Sequence, residues 1–298
     1  MMISINGSGL MPRLRGAIAV ILALATLTVV ALPYNIVTGS GQNMRITQNV
    51  VLFEKFTGTW CSPCGAISPN VSKIWEFYGS TKLAIVEYHL VWGRTDPYEI
   101  PAGVTRSNYY NVGSIGIPYI LTDGTYVTYG KGYNYTSMSE AINQSLAVTR
   151  HFEIGISGDL ASGSVTVHIS QISPTTATDL RLRYAIVESN LIYHAGTSPG
   201  GWYNHTVRAI PAEDIITLPL PVGGSDFVKT FTLSPSWVTQ NLSFVAFLQN
   251  DSSKQVLQSC FYGYGAATVY EFNAVLLFPG AVFVAIVSLI AFRRKNNI

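Results

Sequence analysis

The feature that most restricts the fold of this 298-residue chain is a pair of cysteines, Cys61 and Cys64, between a strand pattern and a helix pattern. Residues 50–56 are largely apolar, which predicts a buried strand. Residues 66–78 carry apolar side chains at helical spacing, and residues 83–91 form a second apolar run. Strand, helix and strand in this order predict a parallel βαβ unit, with the cysteines at the turn into its helix.

The spacing of the two cysteines suits thiol–disulfide exchange. A thiolate is the attacking species in this reaction, and the partial positive charge at a helix N-terminus stabilises it. We therefore predict that Cys61, at the helix start, attacks, and that the more buried Cys64 resolves the mixed disulfide. Pro63 limits the flexibility of the ring between them. Neither an organic cofactor nor a metal is expected.

Two other interpretations of the cysteine pair stay open. A Cys-X-X-Cys pair can be half of a zinc site, but the sequence has only 3 cysteines and no second pair to complete the ligand set. The pair can also form a structural disulfide without redox activity, because disulfides persist outside the cytoplasm.

Both ends of the chain are apolar and carry basic residues beside an uncharged run. Residues 1–33 predict a signal peptide or a retained N-terminal anchor, and residues 34–48 a polar spacer. Residues 272–293 predict a transmembrane helix, because roughly twenty apolar residues span a bilayer core. Residues 294–298, which begin with Arg294 and Lys295, predict a basic cytoplasmic tail.

These ends predict a protein of the cell membrane, single-pass or two-pass, with its main domains on the extracytoplasmic side and the lipid bilayer as a partner. Asn-X-Ser/Thr glycosylation acceptors between the ends agree with this placement, at Asn70, Asn134, Asn143, Asn204, Asn241 and Asn250. The formal net charge is only +2, and no basic run lies outside the ends, so nucleic acid is not expected as a partner.

The segments up to residue 150 predict the remainder of an α/β domain over residues 49–150. Residues 104–112 predict a short helix and residues 115–121 a strand. Asp123-Gly124 predicts a hairpin turn, with residues 126–129 as its returning strand. Thr136 or Ser137 is predicted to cap a last helix that extends to residue 150.

After residue 150 the pattern changes to short alternating or β-branched stretches separated by Gly, Pro, Ser and Asp. They predict an antiparallel, immunoglobulin-like β-sandwich domain over residues 151–265. Its strands are expected at residues 152–157, 165–170, 180–193, 205–210, 227–233, 242–249 and 255–262.

The segment VLFEKFTGTWCSPC, ending at Cys64, resembles the strand and active-site turn of the thioredoxin superfamily. Gly116-Ile117-Pro118 resembles the cis-proline loop of that superfamily. The resemblance implies a thioredoxin-like fold for the first domain and a cis bond between Ile117 and Pro118. It also implies that Trp60, Ile117 and Pro118 form a substrate-binding surface beside the cysteines.

A narrower resemblance covers residues 48–262. The sequence is similar to thioredoxin-like proteins related to outer membrane protein twenty-eight, which carry a β-sandwich behind the thioredoxin domain. The shared residues include Phe56 to Cys61, Asp96-Pro97, Arg106, Tyr109-Tyr110, Pro118, Asp123-Gly124, Asn204-His205, Arg208 and Val245 to Gln249.

One position departs from the superfamily pattern. The family commonly has a buried acid, the proton acceptor for the resolving thiol, where this chain has Lys55. We expect Lys55 to extend its ammonium group to the surface, and Glu54 to face the other side of the strand.

Four residues outside the motif have less distinct roles in the sequence. Cys260 is expected to be buried in the last strand. His205 and Arg208 are expected to stabilise the sandwich rather than bind a ligand, and His89 to be solvated or hydrogen-bonded near the cysteines.

The sequence thus favours an extracytoplasmic thiol–disulfide oxidoreductase that acts on protein cysteines, with protein thiols or disulfides and a redox partner of unknown identity as its partners. The alternative is a redox-inert surface binding or adhesion module in which Cys61 and Cys64 form a structural disulfide.

Overall fold

The computed structural model describes residues 45–47, 49–128 and 134–264. The predicted segments 1–33, 272–293 and 294–298 lie outside this part of the chain. None of the helices among the described residues combines the length and hydropathy that a bilayer span requires.

The first half of the described chain is a mixed α/β arrangement. Its strands are β1 (Arg45–Thr47), β2 (Val51–Thr57), β3 (Leu83–His89), β4 (Tyr119–Thr122) and β5 (Tyr126–Thr128), and its helices are α1 (Ser62–Tyr78), α2 (Pro101–Tyr109) and α3 (Tyr135–Leu146). Strand β2 pairs parallel with β3 and antiparallel with β4. The predicted βαβ unit is therefore present, with α1 as its crossover helix.

The starts of two helices compare differently with those predicted. Helix α1 begins at Ser62, directly after Cys61, which agrees with the predicted place of Cys61 at the helix start. The apolar pattern marks the helix only from residue 66, because Ser62 and Pro63 in its first turn are exposed, and Pro63 fits the start of a helix. It continues through Pro69. Helix α3 is capped by the Asn134 side chain, which accepts the Ser137 N–H, so the predicted cap at Thr136 or Ser137 is wrong.

The second half contributes only strands and short turns. They are β6 (Phe152–Asp159), β7 (Ser164–Gln171), β8 (Leu180–Glu188), β9 (Leu191–Ile192), β10 (Trp202–Tyr203), β11 (Thr206–Ala209), β12 (Asp214–Ile216), β13 (Ser225–Thr230), β14 (Leu242–Asn250) and β15 (Val256–Gly263). Each stretch predicted as a strand after residue 150 contains at least part of one of them.

One large sheet joins the two halves of the described chain. Its order is β15–β14–β8–β11–β3–β2–β4–β5, with β12 also paired to β8. Strand β11 makes the junction, since it pairs antiparallel with β8 and parallel with β3. A second sheet has the order β1–β6–β7–β13, and a small hairpin pairs β9 with β10.

Three apolar cores surround these sheets. One lies between β2, β3 and the helices α1 and α3, and includes Phe53, Ile74 and Met138. A second lies on the opposite face of β2 and β3. The third is enclosed by the second sheet and by β8, β14 and β15, and includes Phe152 and Phe244. The cysteine pair lies at the N-terminal end of α1, beside the first of these cores.

Candidate functional site

Cys61 and Cys64 form a disulfide at the start of α1. Cys61 is the N-cap residue, and its sulfur accepts a hydrogen bond from the backbone N–H of Cys64 at 3.2 Å. The helix thus directs at this sulfur its positive end and an N–H that has no partner within the helix. The predicted place of Cys61 at a helix N-terminus is confirmed.

Both sulfur-bearing residues are nearly enclosed. Cys61 is 3% exposed and Cys64 is 1% exposed, whereas Ser62 and Pro63 between them are exposed. Exposure alone therefore does not distinguish an attacking from a resolving sulfur, and the helix position of Cys61 is the property that does.

The proline loop lies against the disulfide. The Cys61 sulfur is 3.8 Å from the carbonyl oxygen of Ile117, and the Ile117–Pro118 bond is cis, as the resemblance implied. Pro118 is buried directly before β4. Trp60 is half-buried, and its indole N–H donates to the carbonyl of Leu90 at 2.8 Å. Of the predicted substrate-binding residues, Ile117 is therefore the one whose contact with the Cys61 sulfur the structure gives, and Trp60 and Pro118 adjoin these two residues in the chain.

A buried acid holds the loop that leads into the cysteines. Asp96 accepts the backbone N–H of Thr59 at 2.6 Å and lies 2.9 Å from the Nδ1 atom of His89. Burial opposes the charge of Asp96, but its hydrogen bonds with His89 and with the backbone N–H groups of Thr59 and Tyr98 outweigh it and lower the carboxyl pKa. His89 is itself buried, so it acts as a hydrogen-bonded support for Asp96.

A segment from the second half of the chain also contacts the site. The backbone N–H of Thr197 donates to the Thr59 carbonyl, and the Thr197 hydroxyl donates to the Cys61 carbonyl, both at 2.8 Å. A Cβ atom at Gly65 would lie 2.2 Å from the Thr197 carbonyl oxygen, so the two segments are in close contact. Sequence reasoning missed Thr197, which lies in a loop without any recognisable motif.

The expectation that Lys55 extends to the surface is wrong. Its side chain is 2% exposed, and its ammonium group lies 2.9 Å from a carboxylate oxygen of Glu87. Glu87 stands beside it in register on β3, so a partner on the neighbouring strand compensates the buried charge. The sequence signal for such a partner was the carboxylate of Glu87 within the largely apolar strand β3.

Glu54 faces the other side of β2, as predicted. Its carboxylate binds the Arg106 guanidinium through two contacts, at 2.8 and 2.9 Å. Tyr88 and Tyr110 donate hydrogen bonds to the same carboxylate. Alternation along the strand therefore separates Glu54 from the cysteine helix.

A cavity of about 570 Å³ opens beside α1. Its walls include Glu87, His205, Trp75 and the exposed Trp202. His205 packs against Trp75 at a ring distance of 4.5 Å. Burial, with the positive charge of Lys55, lowers the pKa of His205 to about 3, so the imidazole is neutral at physiological pH.

Two other predicted residues lie away from the disulfide. Cys260 is buried in β15, within the core between the two sheets, as expected. Arg208 lies 3.3 Å from a carboxylate oxygen of Glu188 and stacks near Tyr98 and Trp237.

The comparisons with known proteins agree with this geometry at the level of the fold. HBP35 of Porphyromonas gingivalis is similar in structure, with a TM-score of 0.55 and 15% sequence identity, over 76% of this chain and 79% of that chain. A domain of the outer membrane lipoprotein Omp28 from Porphyromonas gingivalis aligns at 15% identity over 40% of this chain and 92% of that chain, with a TM-score of only 0.29. No protein-family model and no curated protein matches the sequence. The described chain is a disulfide-bearing module with a thioredoxin-like fold.

Proposed function

We propose that the protein is a membrane-anchored, extracytoplasmic thiol–disulfide oxidoreductase acting on protein cysteines. The observation that carries this proposal is the position of the Cys61 sulfur, which caps α1 and accepts the Cys64 N–H next to the Ile117 carbonyl. After reduction, the same N–H and the helix end favour a thiolate at Cys61.

The exchange reaction runs in two displacements. In the reducing direction, the Cys61 thiolate attacks one sulfur of a substrate disulfide, the substrate S–S bond breaks, and the released substrate thiolate takes up a proton. The Cys64 thiolate then attacks Cys61 in the mixed disulfide and releases the second substrate thiol. Two electrons pass from the cysteine pair to the substrate, and an external dithiol restores the pair.

The surface around Cys61 supports a protein substrate. The Ile117 carbonyl lies beside the Cys61 sulfur, Trp60 directly precedes Cys61 in the chain, and the exposed residues Ser62 and Pro63 leave the turn accessible. In this proposal the Ile117 segment contacts the backbone of the substrate.

In this proposal, the apolar segments near both ends of the sequence anchor the protein to the membrane or direct it there. Residues 272–293, with the basic tail 294–298, would hold the module at the outer face of the cell membrane, and residues 1–33 would direct it there. This location is one where a disulfide persists between reaction cycles.

The test is the rate of insulin disulfide reduction by the full-length protein in detergent micelles, with a dithiol as reductant. We expect the wild-type protein to accelerate the reaction and Cys61→Ser to abolish the acceleration. Cys64→Ser, reduced and then freed of the dithiol before insulin is added, should accumulate a mixed disulfide, since its Cys61 attacks but no second thiol resolves the product. Cys260→Ser is the matched control and should retain the wild-type rate. Equal rates for the wild-type protein and Cys61→Ser would refute the proposal.

The near-complete burial of both cysteines favours a second candidate, a surface binding module with a structural disulfide. In that case the same assay gives background rates for all variants, and Cys61→Ser lowers the free energy of unfolding instead. A disulfide closing a short loop stabilises a folded protein mainly by restricting the unfolded chain.

A further inference from the structure

Lys55 is a buried cation beside helix α1, which carries the cysteine pair at its N-terminal end. Its side chain is 2% exposed, and it lies on the face of β2 that packs against α1. Burying an ammonium group is costly unless the charge is compensated, and Glu87 compensates it at 2.9 Å. The reaction described above assigns no role to this pair.

Hydrogen bonds connect this ammonium group to the resolving cysteine. The Lys55 Nζ atom lies 3.5 Å from the Ser68 hydroxyl oxygen, and the Ser68 hydroxyl donates to the carbonyl of Cys64 at 3.1 Å. Ser68 stands one helical turn after Cys64, on the same face of α1. The Ser68 hydroxyl thereby links the ammonium group of Lys55 to the first turn of α1.

Glu87 lies on the side of the pair that the cavity reaches. It lines the cavity wall together with His205, and its side chain is 8% exposed. Solvent in the cavity can therefore screen the carboxylate more than the ammonium group, which faces the helix. Glu87 from β3 forms the ion pair with Lys55, and His205, in the turn before β11, is a second titratable group on which the Lys55 charge acts.

We propose that Lys55 is a positioning residue that stabilises the thiolate of Cys64 and thereby raises the reduction potential of the Cys61–Cys64 couple. The inference rests on the proposed function and concerns the same site. Reduction breaks the S–S bond, adds two electrons from an external thiol pool, and leaves a Cys64 sulfur that is either protonated or anionic. A buried ammonium group that contacts Ser68, one helical turn after Cys64, favours the anionic form, because a nearby positive charge stabilises a thiolate.

The test is the reduction potential of the full-length protein, measured by equilibration with glutathione, for Lys55→Gln and Glu87→Gln. Lys55→Gln removes the cation, and we expect the equilibrium constant for reduction to fall by about tenfold, which is roughly 30 mV for a two-electron couple. Glu87→Gln removes the competing anion, and we expect a shift of similar size in the opposite direction.

Opposite shifts are the diagnostic result. Both substitutions break the same ion pair, so a purely structural role predicts a similar loss of stability and no divergence in potential. Lys55→Arg keeps the charge and should keep the wild-type potential, and it also serves if Lys55→Gln fails to fold. Lys73→Gln, at an exposed lysine on the same helix, is the matched control and should leave the potential unchanged.

Shifts in the same direction, or no shifts, would overturn the proposal. Its failure is distinct from failure of the proposed function, because equilibration with glutathione requires no turnover of a protein substrate. Opposite shifts without insulin reduction would support the electrostatic role and refute the oxidoreductase activity. Insulin reduction with unshifted potentials would do the reverse.

Discussion

Glu54 and Lys55 are adjacent charged residues, yet each is buried and each is compensated on a different side of β2. Alternation along the strand directs Glu54 to Arg106 and Lys55 to Glu87. Breaking such a pair by removing one partner leaves an uncompensated buried charge, which is more costly than the pair was favourable.

The Glu54–Arg106 pair gives a stability prediction. We expect Arg106→Met to lower the free energy of unfolding by about 3–5 kcal/mol, and Glu54→Leu combined with Arg106→Met to recover part of this loss. Urea unfolding measures both. Arg181→Met, at a more exposed ion pair, is the control, and its expected cost is below about 1 kcal/mol. An equal cost for Arg106→Met and Arg181→Met would contradict the prediction.

His205 gives a prediction about pH. The unfolded chain binds a proton at this residue near pH 6.5 and the folded chain only near pH 3, so the unfolded state binds more protons between these values. The free energy of unfolding should therefore fall as the pH falls through this window, by up to about 1.4 kcal/mol per pH unit from this residue.

His205→Asn removes this titration and suits the left-handed backbone at φ 52°. Urea unfolding at several pH values should show a flatter dependence for His205→Asn than for the wild-type protein. His194→Asn, at an exposed histidine, is the matched control and should keep the wild-type dependence. A slope that is unchanged in His205→Asn would show that other groups cause it.

At the scale of elements, α1 is fixed at its N-terminus by a segment that is distant in sequence. Thr197 and Cys61 are separated by 136 residues, yet the hydroxyl of one donates to the carbonyl of the other. Gly65 permits this contact because it has no side chain towards Thr197.

Gly65→Ala tests the contact between these elements. The added methyl group would overlap the Thr197 backbone, and we expect a loss of about 1–3 kcal/mol in the free energy of unfolding. Reduction of the disulfide by a small dithiol should also become faster, since the Thr197 segment has to move away. Gly113→Ala is the control, because nothing lies within 4 Å of a Cβ atom there. Loss of stability in both variants alike would point to the glycine backbone instead.

Local patterns predicted most of the elements but not their long-range partners. The apolar periodicity predicted β2, β3 and the body of α1, and the cysteine and proline motifs predicted which loops meet. The Lys55–Glu87 pair was missed because it depends on the register between strands 32 residues apart. The contacts of Thr197 depend on a loop conformation that no single-residue preference encodes.

At the scale of the whole molecule, the two halves share a sheet through β11. The backbone N–H of Glu87 on β3 donates to the carbonyl of His205 at 2.8 Å. Strand β11 of the second half therefore covers the edge of β3 that the first half leaves unpaired. The sequence predicted strand 205–210 but could not predict that it would also pair with β3 of the first half, since strand patterning does not specify the neighbouring strand.

A fragment of residues 49–150 should therefore not behave as an independent domain. Without β11 it exposes the apolar strand β3 as an open edge, and we expect aggregation or loss of cooperative unfolding. A fragment of residues 49–264 keeps β11 and should be a folded monomer. Size-exclusion chromatography with light scattering, together with urea unfolding, distinguishes these outcomes. A monomeric, cooperatively folded 49–150 fragment would contradict the expectation.

The place of β11 between β8 and β3 also bears on how such a gene can change. Thr206 has a Cα partner on each side, Glu87 on β3 and Glu188 on β8. A recombination event that exchanged residues 49–150 for another redox module would have to supply a strand that pairs with β11. Otherwise the hybrid protein would expose β11 as an unpaired strand edge. The two halves are therefore expected to be inherited together, as a single unit of selection.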